Sequence, residues 1–143
     1  MHHANPESVT THRVNYSETD QMGVVYHAQY LVWLDVARTE HLRQAGYSYK
    51  GLEEGGIRLA VTDLQIRYRQ PARFDDQVRI RCRVREVASR KVVFAYRVEH
   101  ADTGTLLADA ETTLICLDAE FRLARLPAAV VAALTPQDKG ATP

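Results

Sequence analysis

The chain has 143 residues, which predicts a single domain with one hydrophobic core. Hydrophobic residues make up 45% and charged residues 25%, an ordinary globular composition. The formal net charge is zero, which argues against a dedicated nucleic-acid or membrane-surface binder, and no apolar run approaches the roughly 18 residues of a membrane span.

The start, MHHANPESV, has no apolar stretch of the secretory kind. Residues 1–8 are expected to be a disordered end, with His2 and His3 part of it rather than of a metal site. Val14 and Tyr16 alternate with polar neighbours, predicting a strand over 9–16. A turn-rich loop follows to His27, in which Asp20 stands out as the acid and Gly23 as the turning point.

Tyr30, Leu31, Leu34, Ala37, His41, Leu42 and Ala45 recur at three- and four-residue steps. They predict a helix over 28–45 with one apolar face, and Gly46 stands where a terminating glycine is expected. Such a helix spans about 27 Å, enough to cross a sheet. No Ser, Thr, Asp or Asn stands around Tyr26–Gln29 to cap it, so its first N–H groups have no side-chain partner in view. A helix start with free N–H groups suits a negative oxygen, and with Asp20 upstream it suggests acyl chemistry. The plainer reading makes Asp20 a turn residue and His27 the cap.

Residues 47–56 read as a connector broken by Gly51, Gly55 and Gly56. From Ile57 to Asp118 the period is two. Ile57, Leu59 and Val61 lie on one parity and Leu64, Ile66 and Tyr68 on the other, so the pattern slips at Thr62-Asp63. A bulge is one explanation, and a strand that changes partner, reaching a second subunit, is another. The segment from Gln70 to Asp76 is a turn. Val78, Ile80, Cys82 and Val84 alternate with Arg79, Arg81, Arg83 and Arg85. Four arginines on one strand face suggest nucleic acid, but Glu99, Asp109 and Glu111 on later strands supply a cross-strand lattice, which the zero net charge favours. Ser89-Arg90-Lys91 turns a hairpin, and Val92, Phe94, Tyr96 and Val98 continue the core. Asp102-Thr103-Gly104 turns again into a strand over 107–117. Residues 126–134 read as a short helix begun by Pro127, and 135–143 as a polar tail. Cys82 and Cys116 lack metal-ligand spacing and read as buried thiols of a reducing, cytoplasmic compartment.

The string TDQMGVVYHAQYLVWLDVARTEHLR resembles the segment shared by hotdog-fold acyl-CoA thioesterases, above all the 4-hydroxybenzoyl-CoA thioesterase group and its Tol–Pal-associated relatives. Asp20, Gly23, Val24, Val25, Tyr26 and Tyr30 stand where that pattern places them. Tyr68, Pro71 and Asp76 match the family's turn, and the likeness covers about 9–127. It implies an α+β hotdog fold over 9–134: an antiparallel sheet of about five strands wrapped around one long central helix, in chains that pair as dimers or homotetramers.

It further implies hydrolysis of an acyl-CoA thioester. Asp20 acts as nucleophile or general base, with the backbone N–H groups around His27 and Ala28 polarising the carbonyl. Tyr26 stands beside them, and Gly23, Val25 and Tyr30 meet the substrate. Asp35 is either a structural partner of Arg38, three residues on, or a contact for a polar acyl group. Arg90 and Lys91, at a hairpin tip with no acid within several positions, are candidates for the CoA phosphates, with Arg122 and Arg125 next. No metal and no cofactor are expected, coenzyme A being part of the substrate. Neither metal-site spacing nor a Gly-x-Ser-x-Gly elbow occurs. Two other classes stay open: a hotdog dehydratase or hydratase, whose His–acid pair His27 and Asp35 would imitate, and a non-catalytic acyl-CoA-binding module.

Overall fold

The computed structural model describes residues 7–136; His2, His3 and residues 137–143 of the tail lie outside the described residues. In order come β1 (Ser8–Arg13), α1 (Gln29–Gln44), α2 (Tyr49–Glu54), β2 (Ile57–Tyr68), β3 (Gln77–Val87), β4 (Lys91–His100), β5 (Leu106–Asp118) and α3 (Ala128–Leu134). The strands form one five-stranded antiparallel sheet in the order β1-β3-β4-β5-β2. The inward residues of β3 and β4, Val78, Ile80, Cys82 and Val84 with Val92, Phe94, Tyr96 and Val98, are buried with Tyr30, Trp33, Leu34, Ala37 and Leu42 of α1. Alternation along the strands thus meets the 3.6-residue stripe of the helix.

Several boundaries differ from expectation. Ser8 is already in β1, 2% exposed and opposite Cys82, so ordered chain reaches into the segment expected to be disordered. The strand ends at Arg13, and Tyr16 opens a single 3-10 turn, Tyr16–Glu18, and is exposed. That turn is stabilised by Asn15 and Glu18, the Glu18 carboxylate accepting the Asn15 N–H at 2.7 Å. Part of the expected connector is α2, which forms because Ser48 Oγ accepts the Gly51 N–H at 2.9 Å, a cap that outweighs the nearby glycines. On α1, Leu31 stands at the exposed rim of the stripe and Trp33 takes the buried place. Gly46 adopts the left-handed conformation (φ 99°) expected of the residue that ends α1.

The parity slip in β2 is a bulge: Val61 pairs with Leu114 and Asp63 with Thr113, leaving Thr62 as the extra residue. β2 keeps β5 as its partner along its whole length. On the outer face of the sheet, Glu99 accepts from Arg79 Nε and Arg81 Nε, both at 3.1 Å, and Arg85 meets Glu111 at 2.7 Å. Burial works to raise the Glu99 pKa, but the Arg81 and Arg79 hydrogen bonds hold it below the usual carboxylate value. Asp109 pairs with Arg69 rather than with β3. The cross-strand lattice therefore accounts for most of the basic stripe.

Candidate active site

The loop between β1 and α1 folds back on itself. An antiparallel bridge joins Thr19 to Val25, the Asp20 N–H donates to Val24 O at 2.9 Å, and the Gly23 N–H donates to Asp20 O at 3.0 Å. Gly23 turns the chain with φ at 79°, a left-handed conformation that favours glycine. Asp20 Oδ1 accepts the Met22 N–H at 2.8 Å, which fixes the carboxylate; Oδ2 has no hydrogen-bond partner among the described residues. Past the turn, the Val25 N–H donates to Ala72 O at 2.8 Å and the Tyr26 N–H to Glu18 O at 2.8 Å. These bonds hold the loop against the β2–β3 turn and against its own beginning.

α1 then starts without a side-chain cap; its N-cap residue is Ala28. The Gln29 N–H donates to Tyr26 O and the Leu31 N–H to Ala28 O. Among the described residues, the N–H groups of His27 and Ala28 have no hydrogen-bond partner. They stand at the positive end of the helix, the arrangement that stabilises a developing oxyanion.

Asp20, Val25, His27, Tyr30 and Tyr68 line one cleft of about 360 Å³. Tyr30 is 3% exposed; its ring meets Tyr68 edge-on at 5.1 Å and its hydroxyl accepts the Ala72 N–H at 3.2 Å. Burial raises the Tyr30 pKa. Tyr26 contributes through its backbone, since its exposed ring lies tilted against His27 at 4.5 Å and does not line the cleft. Gly23 shapes the loop but is likewise absent from the cleft wall.

Asp35 is engaged by the Arg38 guanidinium, which also donates to Tyr49 Oη (2.7 Å) and Tyr96 Oη (3.0 Å). This pair serves a buried polar network rather than the cleft. Arg90 and Lys91 sit at the other end of the sheet. Lys91 is opposite Ile115 and Tyr68 opposite Ala108, a separation of about 23 Å along β5. Lys91 also has an acidic neighbour after all: Glu86 lies 3.8 Å away, because the hairpin turns a gap in sequence into a cross-strand diagonal. Arg122 is likewise within ion-pair distance of Asp118 and Glu120.

Two contributors carry no clear signal in the sequence. Tyr68 belongs to the family-like turn, but the slip at Thr62 hides which face it occupies. Glu18, the second acid of the loop, is 8% exposed and accepts from Asn15 N, His12 Nε2 and Trp33 Nε1. Burial works to raise its pKa, yet those hydrogen bonds, that of His12 foremost, hold it below the usual value.

A model of the Thioesterase-like superfamily matches residues 14–134. The acyl-CoA thioester hydrolase YbgC of Escherichia coli O6:H1 is 36% identical over 121 residues, covering 84% of this chain and 90% of that protein. Among solved structures, a hypothetical protein of Thermus thermophilus superposes with a TM-score of 0.83 at 43% identity, covering 89% of this chain and 96% of that one. The DHNA-CoA thioesterase of Staphylococcus aureus does so with a TM-score of 0.80 at 33% identity, covering 84% and 80%.

Proposed function

The chain belongs to the Thioesterase-like superfamily, with a hotdog fold, and hydrolyses acyl-CoA thioesters; we propose that it does so with Asp20 as the reacting carboxylate and the His27 and Ala28 N–H groups as the oxyanion site. The observation that carries this reading is one cleft lined by Asp20 and His27: among the described residues Asp20 Oδ2 has no partner, and the N–H groups of His27 and of Ala28 next to it have no acceptor.

The thioester carbonyl oxygen accepts from those N–H groups. Either Asp20 removes a proton from water, whose oxygen then bonds to the carbonyl carbon, or Asp20 itself bonds to that carbon and water later cleaves the anhydride. In both routes the carbonyl π pair moves to oxygen and returns. The C–S bond breaks with its electrons on sulfur, and the sulfur takes a proton to leave as free CoA thiol. No cofactor is invoked beyond the coenzyme A of the substrate. The hydratase alternative draws no support from within the chain, since Asp35 is committed to Arg38 rather than to His27.

The chain is proposed to act in the cytoplasm as a homo-oligomer, a dimer or a homotetramer, pairing through the free edge of β2. That 12-residue edge carries the exposed Val61, Leu64 and Tyr68, surface a lone chain leaves open to water.

The test is Asp20→Asn against a panel of aliphatic and aromatic acyl-CoAs, read by release of free thiol. A loss of kcat of about 100-fold or more is expected on the best substrate, with the fold retained. Activity within about threefold of the native enzyme would remove Asp20 from the reaction. Tight acyl-CoA binding without turnover in the native chain would favour a binding module instead.

A further inference from the structure

We propose that Tyr68 is a positioning residue of the oxyanion site, acting through the His27–Ala28 peptide; the inference rests on the function proposed above. Tyr68 Oη donates to His27 O at 2.7 Å. That carbonyl is available because the Leu31 N–H, its partner in a regular α-helix, bonds instead to Ala28 O at 3.1 Å. The carbonyl of His27 and the N–H of Ala28 belong to one planar peptide and point in opposite directions. Holding the oxygen from one side therefore fixes where the N–H aims on the other. The same bond draws electron density toward the carbonyl oxygen and strengthens the N–H as a donor, by about 10–30% per bond in chains of this kind.

The Tyr68 ring is held for this task. It is the last residue of β2, and its ring meets Tyr30 edge-on at 5.1 Å and His27 edge-on at 6.5 Å. Burial raises its pKa, so the hydroxyl remains a protonated donor through neutral and mildly alkaline pH. Tyr68 also lines the cleft, so the rival role is a plain wall for the acyl group. A wall would act on binding, whereas a peptide held for the oxyanion acts on the transition state.

Tyr68→Phe separates the two. It keeps the ring and its contact with Tyr30 and deletes only the oxygen that reaches His27. Expected is a fall in kcat of about 5- to 50-fold, less than the 10²–10³ of deleting a whole oxyanion donor, with KM within about twofold. The melting temperature should stay within about 2 °C, since the side chain is 45% exposed. An unchanged kcat, or a loss lying wholly in KM, overturns the inference. Asp20→Asn runs alongside. If that variant is inactive while Tyr68→Phe is fully active, only the Tyr68 role fails. If Asp20→Asn stays active, the carboxylate assignment fails whatever Tyr68→Phe does.

Discussion

The Glu18 carboxylate accepts the indole N–H of Trp33 at 3.1 Å, so the chain two residues before Asp20 is fastened to the second turn of α1. The same carboxylate takes His12 Nε2 at 2.8 Å from β1, and the Glu18 carbonyl takes the Tyr26 N–H. One buried residue thus ties three segments around the loop that carries Asp20.

Glu18→Gln keeps the volume but turns one acceptor into a donor that faces other donors. It should lower stability by about 1–3 kcal/mol at neutral pH. Those hydrogen bonds hold the folded-state pKa below the usual carboxylate value, so the contribution is present above that usual value and is lost as pH falls through the folded pKa. Denaturant melts at pH 7 and pH 3 should show the gap between native and variant closing at the lower pH. A gap constant with pH would mean that the charge contributes nothing.

Arg38 is 5% exposed, and its donors are taken by Asp35, Tyr49 and Tyr96, with Tyr96 Oη in turn 2.7 Å from Thr112 Oγ1. Burial pushes the Tyr96 phenol up to about 12, against the pull of the Arg38 charge. Arg38→Ala should cost about 2–3 kcal/mol, since it takes the donor from two phenol oxygens, those of Tyr49 and Tyr96. Tyr96→Phe should cost about 1–2 kcal/mol. Urea unfolding measures both, and a smaller effect for Arg38→Ala than for Tyr96→Phe would contradict the network.

His41 is 8% exposed, with Nδ1 2.9 Å from Ser8 Oγ, and burial lowers its pKa below the ordinary imidazole value of about 6.5. Below that value the unfolded chain takes up a proton that the folded chain resists. Stability from this residue is therefore full above about pH 6.5 and declines as pH falls. His41→Asn should flatten the fall in melting temperature between pH 7.5 and 5.5. An equally steep fall in the variant would assign that dependence to other groups.

Where period alone decides, the sequence is readable. The stripe of α1 and the alternation of β3, β4 and β5 are local properties, and so is Asp20 followed three residues later by Gly23. Facts that depend on folding are not. The hairpin brings Glu86 to Lys91, and only the strand order shows that Arg90 lies far from Asp20. α2 is masked because Gly51, Gly55 and Gly56 outweigh, to the eye, the single cap at Ser48. Glu18 looks like a surface acid until His12 and Trp33, from two other elements, close over it.

The proposed edge-to-edge pairing through β2 would give Arg90 a second route to the substrate. Antiparallel pairing of β2 with its copy sets the Tyr68 end of one chain beside the Ile57 end of the other. That is the end of the sheet that carries the β3–β4 hairpin. Arg90 makes no side-chain ion pair or hydrogen bond among the described residues, unlike Lys91. Light scattering should therefore give a mass at least twice the 16.2 kDa of one chain. Arg90→Ala should raise KM for acyl-CoA by about threefold or more and leave kcat nearly unchanged. An acyl-pantetheine substrate, which lacks the nucleotide phosphates, should be indifferent to the change. Equal losses on both substrates would rule out a phosphate contact.

Thr62 is one residue more than the ladder between β2 and β5 needs. Side chains on a strand change face at every step, so this unpaired residue advances the second half of β2 by half a period. Leu64, Ile66 and Tyr68 consequently share the helix-facing side with Ile57, Leu59 and Val61. Asp63, Gln65 and Arg67 stay on the charged side. A chain shortened by Thr62 alone would present an arginine to the core and swing the Tyr68 hydroxyl away from His27. The geometry at one end of the cleft is therefore encoded as a length, six positions away, in a residue that does not line the cleft.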